Sequence, residues 1–294
     1  MVARNVIALN TTTPQAEVPQ TGDTYEMPGD VNITGDLTIT GGISGGIVAL
    51  TGGTLTKTLN AAGAGDFTTM AELVTWLDSL HAVGATVDIT VIAGTYSYDQ
   101  TISVGTKYAE LYIHTQNSND CTVNTVADPL FEVTNSSLRL QNMIFHDTDY
   151  QDDELIKCYA GSSFSLINCT TSGFTRVAYA AASRMYITGG THDDNNDCFE
   201  YDQGSSGDVR NVTISNAAGF GISVNSGAQV YARTNNTITN SGTAFEIFTL
   251  GSGIILVSTP TLSGNSTDYN IPLNEIQYYG GYIADGTGPL SFKV

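Results

Sequence analysis

Short alternations of apolar and polar residues recur along the chain at a nearly constant interval. Phe145, Thr171, His192, Ile214, Ile238 and Leu262 are equivalent positions, separated by 26, 21, 22, 24 and 24 residues. Three residues before them stand Asn142, Asn168, Gly189, Asn211, Asn235 and Thr259. Two residues after them stand Asp147, Gly173, Asp194, Asn216, Asn240 and Gly264. Asn, Asp and Gly tolerate a left-handed backbone or close a turn with a side-chain hydrogen bond. Two sharp corners therefore flank one short strand per repeat. The strand before the first corner repeats as Leu138-Arg139-Leu140, Phe164-Ser165-Leu166, Met185-Tyr186-Ile187 and Ile255-Leu256-Val257. A third strand follows the second corner, at 131–133, 155–159, 198–201, 220–224, 245–248 and 269–271. Cys121-Thr122-Val123 fits the same frame. A period of this length with two corners and no helix predicts an all-β chain, a parallel β-helix with three strands per coil. About eight or nine coils fit between Val87 and Ile283.

The N-terminal part has no such period. Residues 1–30 contain Pro14, Pro19 and Pro28 and read as an extended arm. Residues 31–42 form two short alternating strands punctuated by Gly35, Gly41 and Gly42. So thin a ribbon buries little by itself, and packing against copies of itself is expected. The expected organisation is an arm with a glycine-rich ribbon over 1–60, then the β-helix over 61–294. One helix is expected over 66–84. Thr69-Met70-Ala71-Glu72 is a capping box, Gly84 a stop, and Met70, Leu73, Val74, Leu77 and Leu80 an apolar stripe. The open end of a solenoid exposes core, so this helix is expected to cap it. Trp76 beside the stripe reads as packing.

Charge narrows the choice of partners. The 294 residues carry 29 acids against ten Lys and Arg, a net −19. Nucleic acid is excluded as a partner, because neutralising phosphates takes Lys and Arg. No run reaches the 18 or more apolar residues of a membrane span, and no signal sequence opens the chain, so no membrane insertion is expected. The four cysteines show no metal-ligand spacing. Cys121 and Cys169 fall two residues before the inward position, as Met143 and Val212 do. Free buried thiols and synthesis in a reducing cytoplasm are expected.

The candidate chemistry is carboxylate chemistry. Residues two coils apart stack about 9.6 Å apart. Asp147 and Asp194 share a corner position at that interval, with Gly173 between them as a notch. Inverting glycoside hydrolysis uses two carboxyls about 6.5–9.5 Å apart, one as general acid and one as base. Asp147 and Asp194 are thus the candidate catalytic pair. His146 and Asp193 share the adjoining column, and Asp149, Asp152, Asp153 and Glu154 sit in a loop beside it. Asp197, Glu200 and Asp202 follow closely. His146, Asp149, Asp152, Asp153, Asp193, Asp197 and Glu200 are the candidate ligand-binding residues. The same acids also read as turn caps and a solvated face. Calcium takes six to eight oxygens, and the EF-hand spacing is lacking, so neither metal nor cofactor is expected. His192 reads as an inward, hydrogen-bonded histidine. Fifteen tyrosines, Tyr278, Tyr279 and Tyr282 among them, suit carbohydrate by ring stacking and also suit strands.

The helix followed by Val87-Asp88-Ile89-Thr90-Val91-Ile92-Ala93-Gly94-Thr95-Tyr96 resembles the opening of pectate-lyase-like right-handed β-helices in bacteriophage tailspikes. The glycine-punctuated stretch 30–42 is similar to linker repeats of phage tail fibres. The resemblance implies a homotrimeric virion appendage, assembled in the host cytoplasm. It implies an N-terminal arm that meets other tail or capsid proteins, and a right-handed β-helix that binds a host surface glycan. Three roles stay open: receptor binding, depolymerisation of host polysaccharide by a glycoside hydrolase, and a structural tail or capsid decoration protein. The long C-terminal trimerisation domain of large tailspikes has no counterpart here.

Overall fold

Hydrogen bonds between successive coils, rather than within them, hold this chain together. The computed structural model describes residues 53–80, 84–117, 120–149, 153–247, 254–257, 260–270 and 282–284. Its strands form three parallel sheets. Sheet I has ten strands, from Thr54–Leu59 to Tyr282–Ala284. Sheet II has eight, from Gly94–Ser97 to Thr261–Ser263, and sheet III has eight, from Ile102–Val104 to Thr267–Asn270. One coil is Ser163–Ile167 in sheet I, Thr170–Ser172 in sheet II and Arg176–Ala181 in sheet III. Apart from Thr54–Leu59 and Thr86–Val91, neighbours in a sheet are not consecutive strands of the chain, the mark of a solenoid.

The register follows the sequence period. Phe145 pairs with Thr171, Thr171 with His192, His192 with Ile214, Ile214 with Ile238 and Ile238 with Leu262. At the first corner Asn142, Asn168, Gly189, Asn211 and Asn235 all have positive φ, between 50° and 66°. Asn142, Asn168 and Asn211 turn the chain with one left-handed residue, whereas Gly189 is joined by Gly190 and Asn235 by Thr234. Asn142 donates to the Ile167 carbonyl, Asn168 to Thr188 and Asn211 to Thr234, at 2.8–2.9 Å. At the second corner Gly173, Asp194, Asn216, Asn240 and Gly264 have φ of 52–87°, and the N–H of the first four donates to the next coil. There the next residue points inward. Asn195 accepts the Phe174 N–H and donates to the Thr171 carbonyl. Asn265 accepts the Ser241 N–H and donates to the Ile238 carbonyl. These amides, buried at Asn195 and half-buried at Asn265, satisfy backbone groups that the tight corner withdraws from the sheets.

Asp147 departs from the pattern. It is the last residue of the strand Met143–Asp147, opposite Thr125, fully buried, and outside the positive-φ set. A longer connection to Glu154 replaces the tight corner here, so the chain has no need to turn at 147.

The core is one continuous stack. All four cysteines are free and buried within it, as expected. Its layers exchange volume between coils. Gly207 stands in register between Met185 and Val230, where a side chain is missing. The fully buried Tyr201 ring fills that space, and its hydroxyl donates to the Met185 carbonyl at 3.2 Å. A Cβ on Gly207 would lie 1.8 Å from that carbonyl oxygen and 2.7 Å from the Tyr201 ring.

The helix runs over Met70–Ser79, shorter than the expected 66–84. Its capping box is formed: Thr69 accepts the Glu72 N–H, and Glu72 accepts the Thr69 N–H. It stops at Leu80, which is extended, four residues before Gly84. Met70, Leu73, Val74, Leu77 and Leu80 are buried in the core, so the stripe does cover the end of the stack. Trp76 packs on Phe67, 5.4 Å between ring centres. The boundary expected at 60 also shifts. The strand Thr54–Leu59 pairs along its length with Thr86–Val91 and is the first strand of sheet I. The ribbon at 31–42 and the arm before it lie outside the described residues.

Two outcomes check this account. Asn211→Leu should cost about 1–2 kcal/mol in denaturant unfolding, through a side chain forced into positive φ. Asn211→Gly should be close to neutral. Gly207→Leu should cost about 3 kcal/mol or more by overpacking, whereas Tyr201→Phe should cost about 1 kcal/mol for one hydrogen bond.

Candidate functional site

The structure separates the expected site into three groups. The first surrounds Asp147. One carboxylate oxygen each from Asp147, Asp149 and Asp153 lies within 4.8 Å of the others. The Asp149 N–H donates to Asp147 Oδ1 at 3.2 Å. Burial pushes Asp153 up to about 6, helped by the charges of Asp147, Asp149 and Asp128. Among the described residues these three are the group with metal-ligand distances. They offer three carboxylates, and calcium takes six to eight oxygens. Asp152 lies outside the described residues.

The second group lies on sheet II and its corner. His146 Nδ1 is 2.9 Å from Ser172 Oγ. Asp193 accepts from the Ser215 hydroxyl and from Asn216 Nδ2. Asp194 sits on the left-handed corner and lines a shallow hollow of 180 Å³ with Gly173, Asn196 and Asn216. Asp147 and Asp194 therefore do not share one corner geometry. Asp147 is buried at a strand end, and Asp194 is exposed on a turn. His192 is fully buried, 2.9 Å from the Thr171 hydroxyl and edge-on to Phe199. Burial pulls it down to about 3, so it is neutral near pH 7.

The third group, on the outer face of sheet III, is the best organised. In each coil two consecutive residues point inward, Leu155 and Ile156, Val177 and Ala178, Cys198 and Phe199. The outward residues are therefore spaced by three, and they stack. Glu154, Arg176 and Asp197 form one column. Glu132, Lys157, Tyr179, Glu200, Ser223 and Glu246 form the next. Arg176 holds both glutamates, with Nη1 3.5 Å from Glu154 and Nε 3.1 Å from Glu200. Its guanidinium lies 5.3 Å over the Tyr179 ring, whose hydroxyl donates to Asp202 at 2.9 Å. Tyr159 meets Tyr179 edge-on at 6.0 Å. Asn225 donates to Glu200 at 2.8 Å. Burial raises Glu154 and Glu200 above the ordinary glutamate value, against the pull of Arg176. It raises Asp197 too, against the Phe220 N–H that Asp197 accepts.

Of the expected ligand-binding residues, Asp197 and Glu200 belong to this face. Sequence reading missed Arg176, Tyr179 and Tyr159. Their signal was the three-residue spacing of outward positions, repeated at 154/157, 176/179 and 197/200. The face offers an aromatic surface and a dense set of donors and acceptors, the pairing that recognises a sugar ring and its hydroxyls.

Residues 111–270, more than half of the chain, match the family described as the right handed beta helix region. The chain belongs to the right-handed β-helix family. No curated protein sequence matches it. Among solved structures, the PL6 family alginate lyase AlyGC is similar at a TM-score of 0.48 and 12% identity, over 83% of this chain and 40% of that one. A mutant of that enzyme is similar at 0.45 and 13%, over 86% and 40%. This β-helix thus spans about two fifths of the length of those chains.

Protonation gives a test of the buried groups. His192 has its folded value below its ordinary 6.5, so only the unfolded chain takes up the proton readily. Wild-type stability should fall as pH drops from 6.5 towards about 3, and His192→Leu should remove that component. Asp153 has the opposite sign. Its folded value lies above 3.8, so it contributes stability at low pH that is lost between about 4 and about 6. Asp153→Asn should raise the melting temperature relative to wild type at pH 7 and lose that advantage below pH 3.8. Thermal melts of the variants across pH read both effects.

Proposed function

We propose that this β-helix is a bacteriophage virion appendage, a tailspike or tail fibre, that adheres to a glycan on the host surface. The observation that carries the reading is the outer face of sheet III. There Tyr159 and Tyr179 sit beside Arg176, Glu154, Glu200 and Asp202 on a rigid, repeating support. Six acids and two bases stand outward on it, Glu132, Glu154, Asp197, Glu200, Asp202 and Glu246 against Lys157 and Arg176. Such a face suits sugar hydroxyls, which carboxylates accept, better than an anionic ligand. The tailspike-like opening at 87–96 and the glycine-punctuated stretch 30–42 support the virion setting. The residues before the strand Thr54–Leu59 would join three copies and meet the tail or capsid. Adhesion stands ahead of depolymerisation, because Asp147 of the candidate hydrolytic pair is buried and reaches no bound glycan.

The test is binding of the purified chain to surface polysaccharide extracted from the source host. Tyr179→Ala and Glu200→Gln should each weaken binding about tenfold, the equivalent of one lost stacking or charged hydrogen-bond contact. Undiminished binding by both variants would remove the sheet III face from the reading. Light scattering should give about three times the 31.0 kDa chain mass.

A further inference from the structure

The outer face of sheet I has the opposite character to that of sheet III. Four of the ten Lys and Arg residues project from it: Arg139, Arg184, Arg210 and Arg233. Its three outward acids are all engaged. Asp88 meets His114 at 3.0 Å, and Glu110 meets Arg139 at 2.9 Å. Asp208 meets Arg210 at 2.8 Å and Arg233 at 3.4 Å. Over the strands Arg184–Thr188, Ser206–Arg210 and Gln229–Arg233, three arginines face one acid. A local excess of positive charge thus sits on a chain of net −19.

The arrangement of these arginines points outward. Asp208 has only 8% of its side chain exposed, so it anchors two guanidiniums from beneath. Arg210 and Arg233 keep 48% and 51% of their side chains in solvent. A guanidinium has five N–H donors, and one carboxylate oxygen uses few of them. Arg184 is exposed and forms no ion pair among the described residues. It lines an open hollow of 580 Å³ with Ser163, Ser206, Gln203 and Gly204. Between the arginines stand Tyr186 and Tyr231, 39% and 40% exposed, the most exposed large apolar side chains described. They occupy one column with Asp208 between them, two strand spacings or about 9.6 Å apart. Arg233 lies over the Tyr231 ring at 4.5 Å and fixes its orientation.

We propose that this strip, Arg184, Tyr186, Arg210, Tyr231 and Arg233, is a binding site for an acidic polysaccharide. The arginines take its carboxylate, sulfate or phosphate groups as charge-assisted, bidentate hydrogen bonds. The two tyrosines take the faces of sugar rings, and their separation is roughly the advance of two pyranose units along a chain. Nucleic acid is a poorer occupant. It carries a charge about every 1.7 Å, which three arginines cannot neutralise against the repulsion of the whole chain. A polyuronate carries at most one carboxylate per sugar unit. The strip lies on a different sheet from the Arg176 cluster, so it is independent of the function proposed above.

The experiment is calorimetric titration of the full chain with a polygalacturonate fragment, with its carboxyl-reduced, uncharged form and with dextran sulfate. The charged fragment should bind at least about tenfold more tightly than the reduced one. Arg184→Ala and Arg233→Ala should each lose about tenfold, and the losses should shrink as salt rises. Tyr231→Ala should weaken both forms alike. Lys107→Ala removes a charge of the same sign elsewhere, at its pair with Asp78, and should leave binding unchanged. Binding of dextran sulfate that is lost in Arg184→Ala and Arg233→Ala would support the site and extend it to sulfate. Equal affinity for the reduced fragment, or unchanged binding by Arg184→Ala and Arg233→Ala, would overturn the proposal. So would a drop in oligomer mass on Arg184→Glu with polyanion binding intact, which would give the strip to a second copy of this chain.

Discussion

One backbone constraint underlies the whole molecule: each coil must turn between its three strands without taking its N–H groups out of the ladder. A residue with positive φ does both. It bends the chain from one sheet into the next, and its N–H still reaches the carbonyl of the next coil, as Asn168 reaches Thr188. An L-residue other than Asn, Asp or Gly pays a steric penalty in that conformation. The two corners that flank sheet II are accordingly filled mostly by Asn, Asp and Gly, whereas the corner from sheet III to sheet I holds Ala160, Ala182, Gln203 and Ser226 at positive φ. Inside the coil the demand is looser. Thr171, His192, Phe145 and Ile214 occupy the same inward position, because the stack needs total volume and satisfied polar groups rather than one side chain.

That looseness has a structural consequence. Volume missing from one strand is supplied by another strand of the same or a neighbouring coil, as Tyr201 fills the space beside Gly207. Polar groups introduced into the core are met in the same way. The His192 ring shares the Thr171 hydroxyl with Asn195, whose amide also closes the second corner. Core and corners are thus one network, and the outward faces are left free to differ. Sheet III presents carboxylates gathered by Arg176, whereas sheet I presents arginines gathered by Asp208. A net charge for the chain describes neither.

The same separation explains what was legible of the site. Acids of the two sequence clusters, Asp147 and Asp149, and Asp193, Asp194 and Asp197, fall on a buried strand end, a turn and two different sheets. Residues distant in sequence but equal in phase, such as Lys157, Tyr179 and Glu200, share one column. Arg176 was hidden because its strand, with Ala178, Ala180 and Ala181 inside, lacks the large apolar alternation that marks a strand. Ser206–Arg210 was hidden for a similar reason, with Gly207 at its inward position.

Sequence alone determined the period, the corner residues, the inward position through Phe145 to Leu262 and the capped helix over the end of the stack. These are local properties: a positive φ, a capping box and an alternation each depend on a few adjacent residues. Tertiary structure decided where the helix stops, that Thr54–Leu59 joins sheet I, and that Asp147 is buried rather than turned outward. It also decided which charges meet. A contact in this fold joins residues some 21 to 29 positions apart, and a shift of one residue in any coil moves a side chain from the core to the surface. The register of the stack, set by all coils together, therefore assigns each outward residue its neighbours.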